Sequence, residues 1–124
     1  MAKTPLLHIS SDLMLGGAVV AAAEQAGLEH HRALSWARGE SLASSLNPGV
    51  VLLDLELPGV DFAAVVAGCR SHVLAAYGSH VKVPLFDAAR AVGVPVLLTR
   101  GQVHARGGEI VSQLAGQVAT AGSE

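Results

Sequence analysis

The residues best placed for chemistry are acids, hydroxyls and one cation that follow short apolar runs. Asp54 closes Val50-Val51-Leu52-Leu53, the strongest apolar run in the chain. A carboxylate there can act as a nucleophile, can ligate a hard cation, or can simply accept hydrogen bonds from nearby backbone N–H groups of its loop. Ser10, Ser11 and Asp12 follow Leu6-Leu7-His8-Ile9, and Glu56 lies two residues beyond Asp54. Tyr77, Gly78, Ser79 and His80 follow a third run; Gly78 permits tight backbone geometry, and Ser79 and His80 can bind an anion or a cofactor edge, or form a plain surface loop. Thr99, Arg100 and Gly101 follow a fourth, and Arg100 brings a fixed positive charge.

Other chemistries are poorly supplied. The six histidines include no pair at i,i+4 spacing on a helical stretch, and the one cysteine, Cys69, leaves no zinc cluster. His30, His31 and His72 are expected to be satisfied at the surface or at helix ends, and Cys69 to be buried near Arg70. There is no G-x-S-x-G elbow and no P-loop, and Gly16-Gly17 lacks the remaining glycine of a dinucleotide fingerprint. No metal and no cofactor is expected.

The elements that must hold these residues alternate in type. Residues 6–9 read as a strand. Ser10 to Asp12 suit a turn and helix cap, and residues 13–26 place Leu15, Val19, Ala22, Ala23 and Ala26 on one helical face, with Gly27 as the stop. A weak second strand over 28–34 precedes a helix from Trp36, expected to anchor it to the core, to Leu46. Residues 50–53 are continuously apolar, as a central parallel strand covered on both faces would be. Pro58-Gly59 closes the next loop, and Asp61 to Arg70 form a third helix with Phe62, Val65 and Val66 as its contacts. Val73–Tyr77 is a fourth strand, Gly78–Val83 a loop, and Pro84 starts a helix through Val92. Val94–Leu98 is a fifth strand with Pro95 at its beginning. Gly101–Gly108 reads as a loop, Glu109–Ala119 as the last helix, and the Ala-Thr-Ala-Gly-Ser-Glu end as frayed. Strand then helix, five times over, predicts an α/β doubly wound parallel sheet in the order 2-1-3-4-5, a three-layer sandwich made by one domain over 1–124. Ligands of such sheets sit outside the carboxyl ends of the strands, where the residues named above gather.

Composition fits this architecture and excludes others. Of the 124 residues, 51% are hydrophobic and 15% charged, too apolar for a disordered chain. A net charge of −2 gives no attraction to nucleic acid or an anionic membrane. No apolar stretch is long enough to span a bilayer, and residues 1–9 do not read as a secretory signal. The single cysteine fits a reducing, cytoplasmic compartment.

The segment VVLLDLELPGVD (Val50 to Asp61) resembles the third-strand region of response-regulator receiver domains, with Asp54 at the phosphoacceptor position and Pro58-Gly59 in the loop after it. His8 to Gly27 matches the first strand and helix in length and apolar rhythm, and Ala88 to Gly101 resembles the fourth helix and fifth strand. The resemblance implies a flavodoxin-like fold and a signalling role in a two-component system. It also implies a pocket that this chain fills with other residues. Where receivers place two adjacent acids for Mg²⁺, Ser10 and Ser11 stand, with Asp12 one residue late. Tyr77 or Gly78 takes the place of a small hydroxyl residue, and Arg100 with Gly101 that of a lysine and proline. Two serines do not replace two carboxylates as Mg²⁺ ligands.

These residues predict a pseudo-receiver: a non-catalytic regulatory or interaction module, not an enzyme, with a vestigial pocket of Asp54, Asp12, Ser10, Ser11, Tyr77 and Arg100. The alternatives are a phosphoaccepting receiver using Asp54, and a small ligand-binding flavodoxin-like domain using Gly78, Ser79 and His80. With no output module in the sequence, a protein partner or a homodimer is expected. Ile110, Val111, Leu114 and Val118 of the last helix are candidates for that contact, Val111 and Val118 lying partly off a single core-facing stripe.

Overall fold

A computed structural model describes the backbone of residues 3–122 and the side chains of residues 3–118. Five parallel strands, β1 (Pro5–Ile9), β2 (Glu29–Ala33), β3 (Val50–Asp54), β4 (Val73–Gly78) and β5 (Val96–Thr99), form one sheet in the order β2-β1-β3-β4-β5. The helices between and after them are α1 (Leu13–Ala26), α2 (Trp36–Ser45), α3 (Phe62–Gly68), α4 (Val83–Ala91) and α5 (Arg100–Gly122). The predicted strand order and layer arrangement are the observed ones.

The sheet divides the apolar residues by strand parity. Leu7, Ile9, Val51, Leu53, Leu74 and Ala76 pack on one face against Ala43 of α2, Val65 of α3 and Ala89 of α4. Leu6, Val50, Leu52, Ala75 and Tyr77 pack on the other against α1 and α5. Successive strand side chains point to opposite faces, so a strand covered twice must be apolar throughout; β3, in the middle, is buried at all five residues. Edge strand β2 carries Glu29, His30, His31 and Arg32, and such polar side chains discourage pairing with another sheet. Trp36 is half-buried against the α2/α3/α4 core, where the absence of a side chain on Gly68 makes room for its ring.

Helix ends follow local chemistry. Asp12 caps α1 by accepting from the N–H of Met14 at 2.9 Å and of Leu15 at 3.3 Å, and Gly27 closes it with φ 70°. Asp61 caps α3 in the same way.

The expected loop over Gly101–Gly108 is instead helical. Thr99 and Gln102 exchange bonds, the Thr99 N–H to Gln102 Oε1 at 2.8 Å and the Gln102 N–H to Thr99 Oγ1 at 3.1 Å. This capping box starts α5 directly at the end of β5. The helix is broken at Arg106, whose φ of −133° and ψ of 26° are not helical, just before two glycines. Those glycines bring α5 against α1: a Cβ on Gly107 would lie 3.1 Å from that of Ala22, and Gly108 faces the Gln25 side chain. The expected frayed end is helical through Gly122, and Ser123 and Glu124 lie outside the described residues.

Two further expectations are corrected. Pro95 lies just before β5, which begins at Val96, since a proline offers no N–H to the ladder. Val111 and Leu114 are buried in the α1/α5 core, so they are not available as an outer contact face; both follow the break at Arg106 and lie on the side of α5 that packs against α1.

Candidate functional site

The carboxyl ends of β1, β3, β4 and β5 converge, because register places Ile9 beside Leu53, Asp54 beside Tyr77 and Gly78 beside Thr99. Asp54 is buried there and both of its oxygens are engaged. Oδ2 accepts from the Ser10 hydroxyl at 2.7 Å, and Oδ1 accepts from the Glu56 N–H at 2.9 Å. Ser10 is itself buried, and its oxygen accepts from the Asp12 N–H at 2.9 Å. The β1–α1 and β3–α3 loops are thereby tied to each other through one serine.

Asp12 turns its other oxygen to Arg100, with which it forms an ion pair. Burial pushes its carboxyl upward, but the Leu15 N–H, the Arg100 guanidinium and the Met14 N–H outweigh that and hold it below the usual carboxylate range. Arg100 thus pairs with Asp12 and not with Asp54. A residue missed by the sequence reading completes the pocket. Arg32, from β2, lies over Gly16 and donates from Nη2 to the Asp12 carbonyl at 2.7 Å and from Nε to the Ser10 carbonyl at 3.5 Å. Arg100 therefore pairs with the Asp12 carboxylate, while Arg32 binds backbone carbonyls of the same loop.

Tyr77, expected in the pocket, stands beside Asp54 in the register, and its partner His8 is the second missed residue. Tyr77 is fully buried, and its hydroxyl lies 2.8 Å from Nε2 of His8, also fully buried. Burial drives the phenol upward, with a further push from Asp54, so Tyr77 stays protonated. Burial and the neighbouring Arg32 and His30 lower His8 to about 3, against a small opposing effect of Asp12. His8 is neutral at ordinary pH, and its Nδ1 has no hydrogen-bond partner in the structure.

The remaining expected site residues lie outside this network. Ser11 is exposed. Gly78 ends β4 and is buried, the Ser79 N–H donates to Glu56 Oε2 at 3.1 Å, and His80 is exposed. Of the other histidines, His72 is satisfied as expected: Nδ1 accepts from the Gly49 N–H at 3.1 Å and Nε2 lies 2.7 Å from the Ala43 carbonyl. His31 pairs with Glu29, whereas His30 keeps a buried Nε2 without a partner. Beside the pocket a cavity of about 330 Å³ is lined by Met14, Leu15, Arg100, Gly101 and His104.

The donor set does not fit a divalent cation. Hard cations take anionic and carbonyl oxygen, and here the Asp12 carboxylate is spent on a helix N-terminus and an arginine. The Ser10 and Asp12 carbonyls are spent on a second arginine, and the two serines bring no charge. Among the described residues no group of three or more His, Cys, Asp or Glu is arranged to hold a metal, and no helix is long and apolar enough to cross a membrane.

No family model matches this sequence, and no curated protein does. Solved structures do match. The signal receiver domain of an HD domain-containing protein from Pseudomonas fluorescens superposes with a TM-score of 0.84 at 12% identity, over 100% of this chain and 95% of that one. The receiver domain of the response regulator NarL from Mycobacterium tuberculosis gives 0.75 at 22% identity, over 94% and 98%. The receiver domain of a sensor histidine kinase from Pseudomonas aeruginosa, solved with a magnesium ion coordinated in its active-site cleft, gives 0.76 at 14% identity, over 93% and 99%. The chain has the fold of the response-regulator receiver domains.

Proposed function

We propose that this chain is a pseudo-receiver, one domain over residues 1–124 that keeps the receiver scaffold for regulation or protein contact and does not carry out metal-dependent phosphoryl transfer. The observation that carries the reading is the state of the two carboxylates. Transfer of a phosphoryl group to Asp54 brings two anions together, and catalysis of such steps rests on positioning and on neutralising the charge. Asp54 is already bound on both oxygens by Ser10 and Glu56, while Arg100 is paired with Asp12. Losing a metal's contribution of several kcal/mol lowers the rate by orders of magnitude.

The test is intact-protein mass after incubation with a small phosphodonor and millimolar Mg²⁺, with Asp54→Ala as control. No gain is expected. A rapid, Mg²⁺-dependent gain of one phosphoryl mass, lost in the variant, overturns the reading in favour of a phosphoaccepting receiver.

The output of such a module is a protein contact, with a second copy or with another protein. Leu13 and Met14 are 78% and 90% exposed at the rim of the pocket, which supports a contact role. Light scattering at micromolar concentration separates a homodimer from a monomer that needs another partner.

A further inference from the structure

We propose that the cleft between the α3–β4 and α4–β5 loops is a binding site for a small monocarboxylate with an apolar body. It lies at the amino-terminal ends of β4 and β5, at the opposite end of the sheet from Asp54, so it stands whether or not Asp54 accepts a phosphoryl group.

Strand register makes the cleft. β4 begins at Val73, but β5 joins it only at Val96, beside Ala75. Val73 and Leu74 therefore extend beyond the end of β5, and Pro95, just before Val96, offers no N–H to continue the ladder. The result is a cavity of about 330 Å³, within the range of small-ligand sites. Its walls include Val66, Val73, Pro95 and Val96, and its floor is Cys69 and Leu74, both buried. Burial pushes the Cys69 thiol up to about 11, so the sulfur meets a ligand as a neutral, apolar surface and not as a nucleophile.

The polar groups of the lining then choose the ligand. His72 offers no free ring nitrogen: Nδ1 accepts from the Gly49 N–H, and Nε2 lies against the Ala43 carbonyl. No acid lines the cavity, and Arg70, exposed at its rim, brings a fixed positive charge. Among the described residues the Arg70 guanidinium has no ion-pair or hydrogen-bond partner. A guanidinium with its whole fork of donors free matches the two oxygens of one carboxylate, and one such charge balances a monoanion. Gln117 of α5 adds an amide to the same lining. The ligand that satisfies these groups places its apolar body over Cys69 and Leu74 and its carboxylate on Arg70.

Hexanoate is the probe, with hexanol and hexylamine as the same chain under a neutral and a cationic head. In amide spectra of the wild type, millimolar hexanoate produces saturable shifts of the Cys69, Arg70, Val73 and Val96 signals and leaves those of Ser10 and Asp54 in place. Hexanol moves the same signals with an affinity about tenfold lower, the worth of a hydrogen bond to a charged group, and hexylamine moves none. Arg70→Gln changes an exposed side chain outside both hydrophobic cores, so the variant folds. It binds hexanoate about tenfold more weakly than the wild type and hexanol equally well. Absence of saturable shifts at these four amides overturns the site. Hexanoate that binds no tighter than hexanol, or that binds Arg70→Gln as well as the wild type, overturns the carboxylate assignment and the proposal with it.

Discussion

The hydroxyl of Ser10 stands 2.7 Å from Oδ2 of Asp54 and donates its hydrogen to it, across 44 residues of chain. Asp54 is therefore neither a lone buried charge nor a partner of Arg100. With Glu56 donating to Oδ1, it works as a structural acceptor that joins two loops.

Its substitutions should differ accordingly. Asp54→Asn keeps an acceptor for the Glu56 N–H, and the Ser10 hydroxyl can rotate to accept from the new amide, so stability should change by less than about 1 kcal/mol. Asp54→Ala strands the buried Ser10 hydroxyl and should cost about 1–3 kcal/mol. Urea unfolding of both variants checks this; an equal, large loss in each would show that the charge of Asp54 is what the fold requires.

Tyr77→Phe removes a hydroxyl from a buried pair. His8 already has one ring nitrogen without a partner and would then have both. The expected cost is about 1–3 kcal/mol, the penalty of an unsatisfied buried group. Replacing both residues, as His8→Leu with Tyr77→Phe, should recover part of it, since two apolar side chains leave nothing unpaired. A double-mutant cycle by urea unfolding measures the coupling.

Acid should act through the same histidine. Burial, with Arg32 and His30, lowers His8 to about 3 in the folded state from 6.5, so the unfolded chain takes up its proton first. Stability contributed by the neutral ring is present above pH 6.5 and is lost as pH falls from there toward 3. Between pH 6.5 and 5 the loss should be about 2 kcal/mol, at about 1.4 kcal/mol per unit. In His8→Gln this part of the slope should vanish. An unchanged slope would assign the acid sensitivity to other groups.

The α1–α5 contact should be intolerant of added volume. The seat of Gly107 lies 3.1 Å from the Ala22 Cβ, so Gly107→Val must push the helices apart, at a cost of about 1–3 kcal/mol. Val111→Glu buries an unpaired charge in the same layer and should unfold the protein outright. Thermal melts of the two variants check both expectations; a folded Val111→Glu would mean that this face of α5 is open.

Much of the scaffold was legible in the sequence because it is written locally. All strands but the polar edge strand β2 show as apolar runs, helices as a face repeated every three or four, and ends as Asp12, Asp61 and Gly27 at caps. The position of Asp54 follows from the run it closes. Even the start of α5 was locally encoded, in the Thr99-x-x-Gln102 capping box, although the glycines that follow made the segment read as a loop. What the sequence could not decide is which distant side chains meet. Tyr77 and His8 are 69 residues apart and Ser10 and Asp54 are 44 apart, while Arg32 reached the pocket only once β2 paired with β1. Arg100 had two carboxylates within its expected reach, and only the geometry of the α1 cap gave it to Asp12. Periodicity reports which face of an element is buried, because burial repeats along the chain. A polar contact across a parallel sheet leaves no such repeat, since strand order and register bring its partners together, and it exists only in the tertiary structure.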